Sequence, residues 1–104
     1  MTEAATYARI HTLETTPEQY EEGRAIVTEQ LLPWARESTG YRGLLGLVSP
    51  EHDRSLVITL WEDEESFERS SEPADNLSAA AAKASGATRR ALESYEVTIL
   101  DLPA

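Results

Sequence analysis

Apolar positions along this chain change period several times, and the changes mark out its elements. Residues 4 to 13, AATYARIHTL, alternate loosely around Tyr7, Ile10 and Leu13 and predict a first strand. The next stretch, TTPEQ, is a helix start: Thr16 suits the cap, Pro17 the first helical position, and Gln19 the closing of a capping box. Tyr20, Val27, Leu31 and Trp34 then recur near helical period, with Gly23 and Arg24 filling the missing turn. Pro33 lacks a backbone N–H, so a kink or weakening is expected there. Gly40 is placed to end the helix in the left-handed conformation.

The second half follows the same logic. YRGLLGLVS, 41 to 49, reads as a strand; PEHDR is a polar hairpin connection with His52 exposed in it; SLVITLWE is a third strand. Asp63 opens a second helix, Pro73 marks a break or restart, and LSAAAAKAS is strongly helix-forming up to an interruption at Gly86. SYEVTILDL, 94 to 102, alternates Tyr95, Val97 and Ile99 against Glu96, Thr98 and Leu100 as a fourth strand. The order β-α-β-β-α-β implies one α+β domain over residues 1–104. It is the ferredoxin-like arrangement, a four-stranded antiparallel sheet with two helical segments on one face.

The middle strands are apolar on both sides. Leu56, Ile58 and Leu60 alternate with Val57, Thr59 and Trp61, and Leu45 and Leu47 with Leu44 and Val48. Helices cover only one face of such a sheet, and a wet second face should be polar. A second copy packed sheet to sheet is the economical cover, so a homodimer is expected. Burying six such side chains is worth on the order of 10 kcal/mol before entropy is subtracted.

Composition narrows the functions. The 104 residues include nineteen acids and nine bases, for a formal charge of −10. Such a chain repels nucleic acid and anionic membranes, and no segment is long and apolar enough to span a bilayer. Cysteine is absent, which removes disulfides and thiolate chemistry and fits a reducing cytoplasm. The opening MTEAATYARIH has no basic region followed by an apolar run, so no secretory leader is expected. His11 and His52, far apart and without cysteine, make no metal-ligand spacing. Phosphate-loop, dinucleotide and serine-elbow motifs are absent, and Gly40, Gly43 and Gly46 lie within a strand pattern.

Two residues remain as candidates for chemistry. The acids Glu62 to Glu65 are helix-start punctuation, stabilised by the macrodipole. Trp61 either fills the helix–sheet layer or walls a pocket, because Gly43, Gly46 and the small residues 78 to 87 can leave space around a large ring. His11, mid-strand beside Arg9, is either structural or a base near such a pocket.

STGYRGLLGLVSPEHDRSLVITLWEDEESFERSSE resembles the central portion of the antibiotic biosynthesis monooxygenase-like family, of the dimeric α+β barrel superfamily. The shared features are Gly40, Tyr41 and Gly43, a short turn, and a strand ending in Trp61 before an acidic helix start containing Phe67. The resemblance implies a dimeric α+β barrel with a small-molecule pocket. Heme-degrading relatives use a strand-end tryptophan, a first-strand asparagine and a helical histidine. This chain has Trp61 but neither of the others, so heme degradation is not expected. The cofactor-independent oxygenases of the family oxidise polycyclic phenols with dioxygen. On that pattern His11 is the expected base and Trp61 the ring-positioning wall. Tyr7, Tyr20, Trp34, Tyr41 and Phe67 would surround a small aromatic substrate, with no cofactor. The alternative is a non-catalytic ligand-binding or accessory dimer of the same fold.

Overall fold

The structure, a computed structural model, describes residues 6–101. Strand β1 (Thr6–Glu14) leads into helix α1 (Pro17–Ile26), a π-helical turn (Val27–Leu31) and helix α2 (Leu32–Glu37). Strands β2 (Tyr41–Val48) and β3 (Arg54–Trp61) form a hairpin, followed by helix α3 (Glu64–Ser85) and strand β4 (Thr88–Val97). The four strands make one antiparallel sheet in the order β2-β3-β1-β4, the ferredoxin-like topology.

Local chemistry sets most boundaries. The capping box forms: the Gln19 amide N–H donates to Thr16 Oγ1 at 3.2 Å, and the Thr16 N–H to Gln19 Oε1 at 2.9 Å. Pro33 is accommodated by widening the turn before it, where the Leu32 N–H donates to the Val27 carbonyl five residues back. The helix ends at Glu37, earlier than its glycine. Gly40, at φ +82°, turns the chain into β2 instead, and a Cβ there would collide with the Ser66 side chain. Asp63 caps α3 by accepting from the Ser66 N–H at 2.8 Å. His52 is half-buried in the hairpin at φ +60°, rather than exposed, because its ring packs on Tyr20.

Two further expectations are corrected. α3 runs through Pro73 without a break. Three donors converge on the Phe67 carbonyl in the turn upstream, from Ser70 Oγ, Ser71 Oγ and Arg9 Nη2, and stitch the helix to β1. Strand β4 occupies 88 to 97, not 94 to 102; within the earlier range, residue 102 lies outside the described residues. Its position follows its partner, since β1 pairs Thr6 with Val97 and Glu14 with Thr88. Residues 4 and 5 of the expected first strand also lie outside the described residues.

Register sorts the sheet into two layers. Arg9, His11, Val57, Thr59 and Trp61 are buried on the helix side. Ile10, Ile58, Leu45, Leu56, Leu47 and Tyr95 share the other face, on which Leu45, Leu47 and Tyr95 are about half exposed. Among the described residues no helix is long and apolar enough to cross a membrane.

Candidate functional site

The helix side of the sheet holds two different environments. At the Trp61 end, strand end and helix start build an aromatic cluster around a buried cation. Trp61 lies 6.0 Å from Trp34 and 6.2 Å from Tyr41 between ring centroids, and Tyr7 lies 5.9 Å from Phe67. Arg9 sets its guanidinium 4.2 Å from the Phe67 ring centroid and 5.9 Å from that of Trp61. It is 3% exposed and donates to Ser70 Oγ, the Phe67 carbonyl and Ser71 Oγ at 2.7 to 3.0 Å. Among the described residues no carboxylate lies within ion-pair distance of it. Trp61 Nε1 donates to Thr59 Oγ1 at 3.0 Å, and the residue has no exposed surface. A ring with no exposed surface has no face open to a ligand, and Trp61 lines neither of the two cavities at the other end of the sheet.

At the opposite end, β1 and β3 diverge from the helices over a cleft of about 270 Å³. Its floor includes Val57 and Gly46 of the sheet; Tyr20, Gly23 and Val27 line it from the first helical segment, and Ala81 and Ser85 from α3. Small residues leave the space open here, since the side chains that α3 contributes to this cleft are those of Ala81 and Ser85. Tyr20 meets His52 edge to face at 5.1 Å between centroids. A second, inner chamber of about 30 Å³ adjoins the cleft and shares Leu13, Val27, Val57 and Ala81 with it.

His11 borders that inner chamber. It is 2% exposed, and neither ring nitrogen has a hydrogen-bond partner. Burial, reinforced by the charges of Arg9 and Arg89 and opposed by Asp75, lowers its pKa from 6.5 to about 4. The imidazole is therefore neutral at pH 7, with one nitrogen free to accept a proton.

Of the residues singled out from sequence, the structure places Tyr20 on the cleft and His11 on the adjoining inner chamber. It gathers Trp61, Trp34, Tyr41, Tyr7 and Phe67 into the aromatic cluster. Gln30 and Ser78 on the inner chamber, and the π-turn that presents Val27 and Gln30, were not read from sequence. Pro33 was the available signal for the turn; Ser78 is one of many small residues and carries none. Among the described residues no group of three or more His, Asp or Glu side chains is placed to hold a metal.

A four-stranded antiparallel sheet with helices on one face, in ferredoxin-like order, is also the fold of antibiotic biosynthesis monooxygenase-type proteins, and three solved structures show the match. A monooxygenase of Streptomyces coelicolor, ActVA-Orf6, solved with the ligand Nanaomycin D, is 19% identical with a TM-score of 0.66, covering 97% of this chain and 94% of its own. SnoaB, a cofactor-independent oxygenase of Streptomyces nogalater, is 16% identical with a TM-score of 0.61, covering 97% of each chain. A Deinococcus radiodurans protein ascribed to antibiotic biosynthesis monooxygenases is 14% identical with a TM-score of 0.72, covering 94% of this chain and 98% of its own. A Nitrosomonas europaea protein of unknown function has the same fold. No protein-family model and no curated protein matches the sequence.

Proposed function

We propose that this chain is a homodimeric, cofactor-independent oxygenase that takes a small polycyclic phenol into the cleft and oxidises it with dioxygen. The observation that carries the reading is His11: a neutral, buried imidazole with both nitrogens unpartnered at the inner end of an apolar cleft. Its shared fold with oxygenases supports the reading.

In this chemistry the bound phenol gives its proton to His11. The phenolate passes one electron to dioxygen, the resulting phenoxyl radical and superoxide join at a ring carbon, and the His11 imidazolium returns its proton to the peroxide anion to give a hydroperoxide. Loss of water from the hydroperoxide leaves a quinone, so one phenol and one dioxygen become one quinone and one water. The chain contributes a dry site, a base and a fixed orientation. Proton transfer creates an imidazolium and a phenolate together. The Arg9 cation, two residues from His11 on the same strand, acts against protonation of the base, because its charge lowers the affinity of His11 for the proton. The apolar outer face of the sheet, with Leu45, Leu47 and Tyr95 half exposed, supports pairing with a second copy.

The test is dioxygen consumption with an anthrone-type phenol in the presence of a metal chelator. Uptake of one dioxygen per phenol, at least about a hundredfold slower in His11→Leu, is expected. A second reading, a ligand-binding dimer without catalysis, is favoured by one feature: the low pKa makes His11 a weak base. Tight binding of the same phenols without uptake would select it.

A further inference from the structure

We infer that the inner chamber is a hydroxyl site: it receives the leading hydroxyl of a planar, uncharged aromatic ligand whose body lies in the outer cleft. The inference rests on the cleft being the ligand site, but not on any oxidation taking place there.

Size makes the first argument. The inner chamber, about 30 Å³, exceeds the roughly 10–15 Å³ needed for one water-sized group yet is far too small for a ring. The outer cleft, about 270 Å³, falls just below the roughly 300–1,000 Å³ typical of small-molecule sites. A ligand filling both is therefore a compact ring system with one small projecting group. Leu13, Val27, Val57 and Ala81 line both cavities, so the two lie directly against one another.

Polarity makes the second. A neutral imidazole has one N–H donor and one acceptor nitrogen, and at His11 both are buried and unmet. A hydroxyl both donates and accepts, so it can satisfy either nitrogen whichever tautomer is present. An ether oxygen only accepts, and a hydrocarbon does neither. Charge makes the third: besides His11, the only polar side chains on the inner chamber among the described residues are Gln30 and Ser78, and none carries a fixed charge. A carboxylate entering there would lose its hydration without gaining a counter-ion. The chamber thus selects a hydroxyl over both its methyl ether and its carboxylate analogue.

The experiment compares binding of 1-naphthol, 1-methoxynaphthalene, naphthalene and 1-naphthoate to the full chain by titration calorimetry, for wild type, His11→Leu and His11→Gln. Wild type is expected to bind 1-naphthol about tenfold or more tightly than the other three. His11→Leu, checked for folding by its thermal melt, is expected to bring all four within about twofold. His11→Gln, which keeps a donor and an acceptor, is expected to retain part of the preference. Equal affinities in wild type, a preference that survives His11→Leu, or no binding of any of the four would overturn the inference. Absence of dioxygen uptake with the naphthol preference intact would remove the oxygenase reading and leave the hydroxyl site standing.

Discussion

Arg9 and His11 lie two residues apart on the buried face of β1, and they are provided for in opposite ways. Arg9 donates three hydrogen bonds into α3, while His11, equally buried, makes none. Buried polar groups are almost always paired, so the first arrangement is what a core requires and the second is what a binding site leaves open.

Replacing His11 should therefore stabilise the fold. His11→Leu removes an unsatisfied buried group whose desolvation costs about 1–3 kcal/mol and keeps most of the volume. A higher denaturant midpoint at pH 7 with an unchanged m-value is the expected result. A loss of several kcal/mol would mean that the imidazole has partners in solution.

The same residue should give the fold an acid sensitivity. The His11 pKa is about 4 in the fold against an ordinary 6.5, so the unfolded chain binds the extra proton between those values. Stability should be fully present above about pH 6.5 and fall progressively towards pH 4, by about 3 kcal/mol over the window. His11→Leu should flatten that part of the curve, leaving the carboxylate-linked loss at lower pH. Denaturant melts of both proteins across pH 4 to 8 read this difference directly.

Arg9 should behave as an anchor. Arg9→Met strands the hydroxyls and carbonyl of α3 that it serves, and a loss of about 2–4 kcal/mol is expected, measured by chemical denaturation. Arg9→Lys should restore less than half, since one ammonium cannot span the Ser70, Phe67 and Ser71 acceptors in the guanidinium geometry. Because the Arg9 charge opposes protonation of His11, the His11 pKa should rise in Arg9→Met.

Gly40 tests the join between α2 and β2. At φ +82°, with the Ser66 side chain where a Cβ would lie, Gly40→Ala should cost about 2–4 kcal/mol. Adding Ser66→Gly should recover the steric part of that loss but not the backbone part, a difference visible in thermal melts.

The outer sheet face supports the dimer proposal, and charge placed on it should break the pair. Sedimentation of the wild type is expected at twice the 11.5 kDa chain mass. Leu47→Lys with Leu45→Glu, both on that half-exposed face, should shift the boundary to the single-chain mass.

How far these features could be read from the sequence depended on how local their causes are. The Thr16–Gln19 box and the Asp63 cap involve neighbours three residues apart, so four letters suffice to see them. The two-sided apolar pattern of β3 was visible because strand period alone determines it. The limits of β4 were not, since Thr88–Val97 is held by pairing with β1, whatever the alternation downstream of Val97 suggests. Pro73 reads as a breaker, yet α3 continues through it, and the turn before it is tied to β1 by an arginine about sixty residues earlier in the chain. The small residues of α3 signalled open space, but its place under Leu13 and Val57, away from Trp61, depends on how three elements lean together.

Nitrogen-15 NMR of labelled histidine reads directly whether His11 is an open, neutral acceptor facing the inner chamber. The prediction is a neutral imidazole at pH 7 that stays unprotonated down to about pH 5 and whose nitrogen shifts move on adding 1-naphthol. A His11 that titrates near 6.5, or whose shifts ignore the naphthol while His52 alone responds, would contradict it.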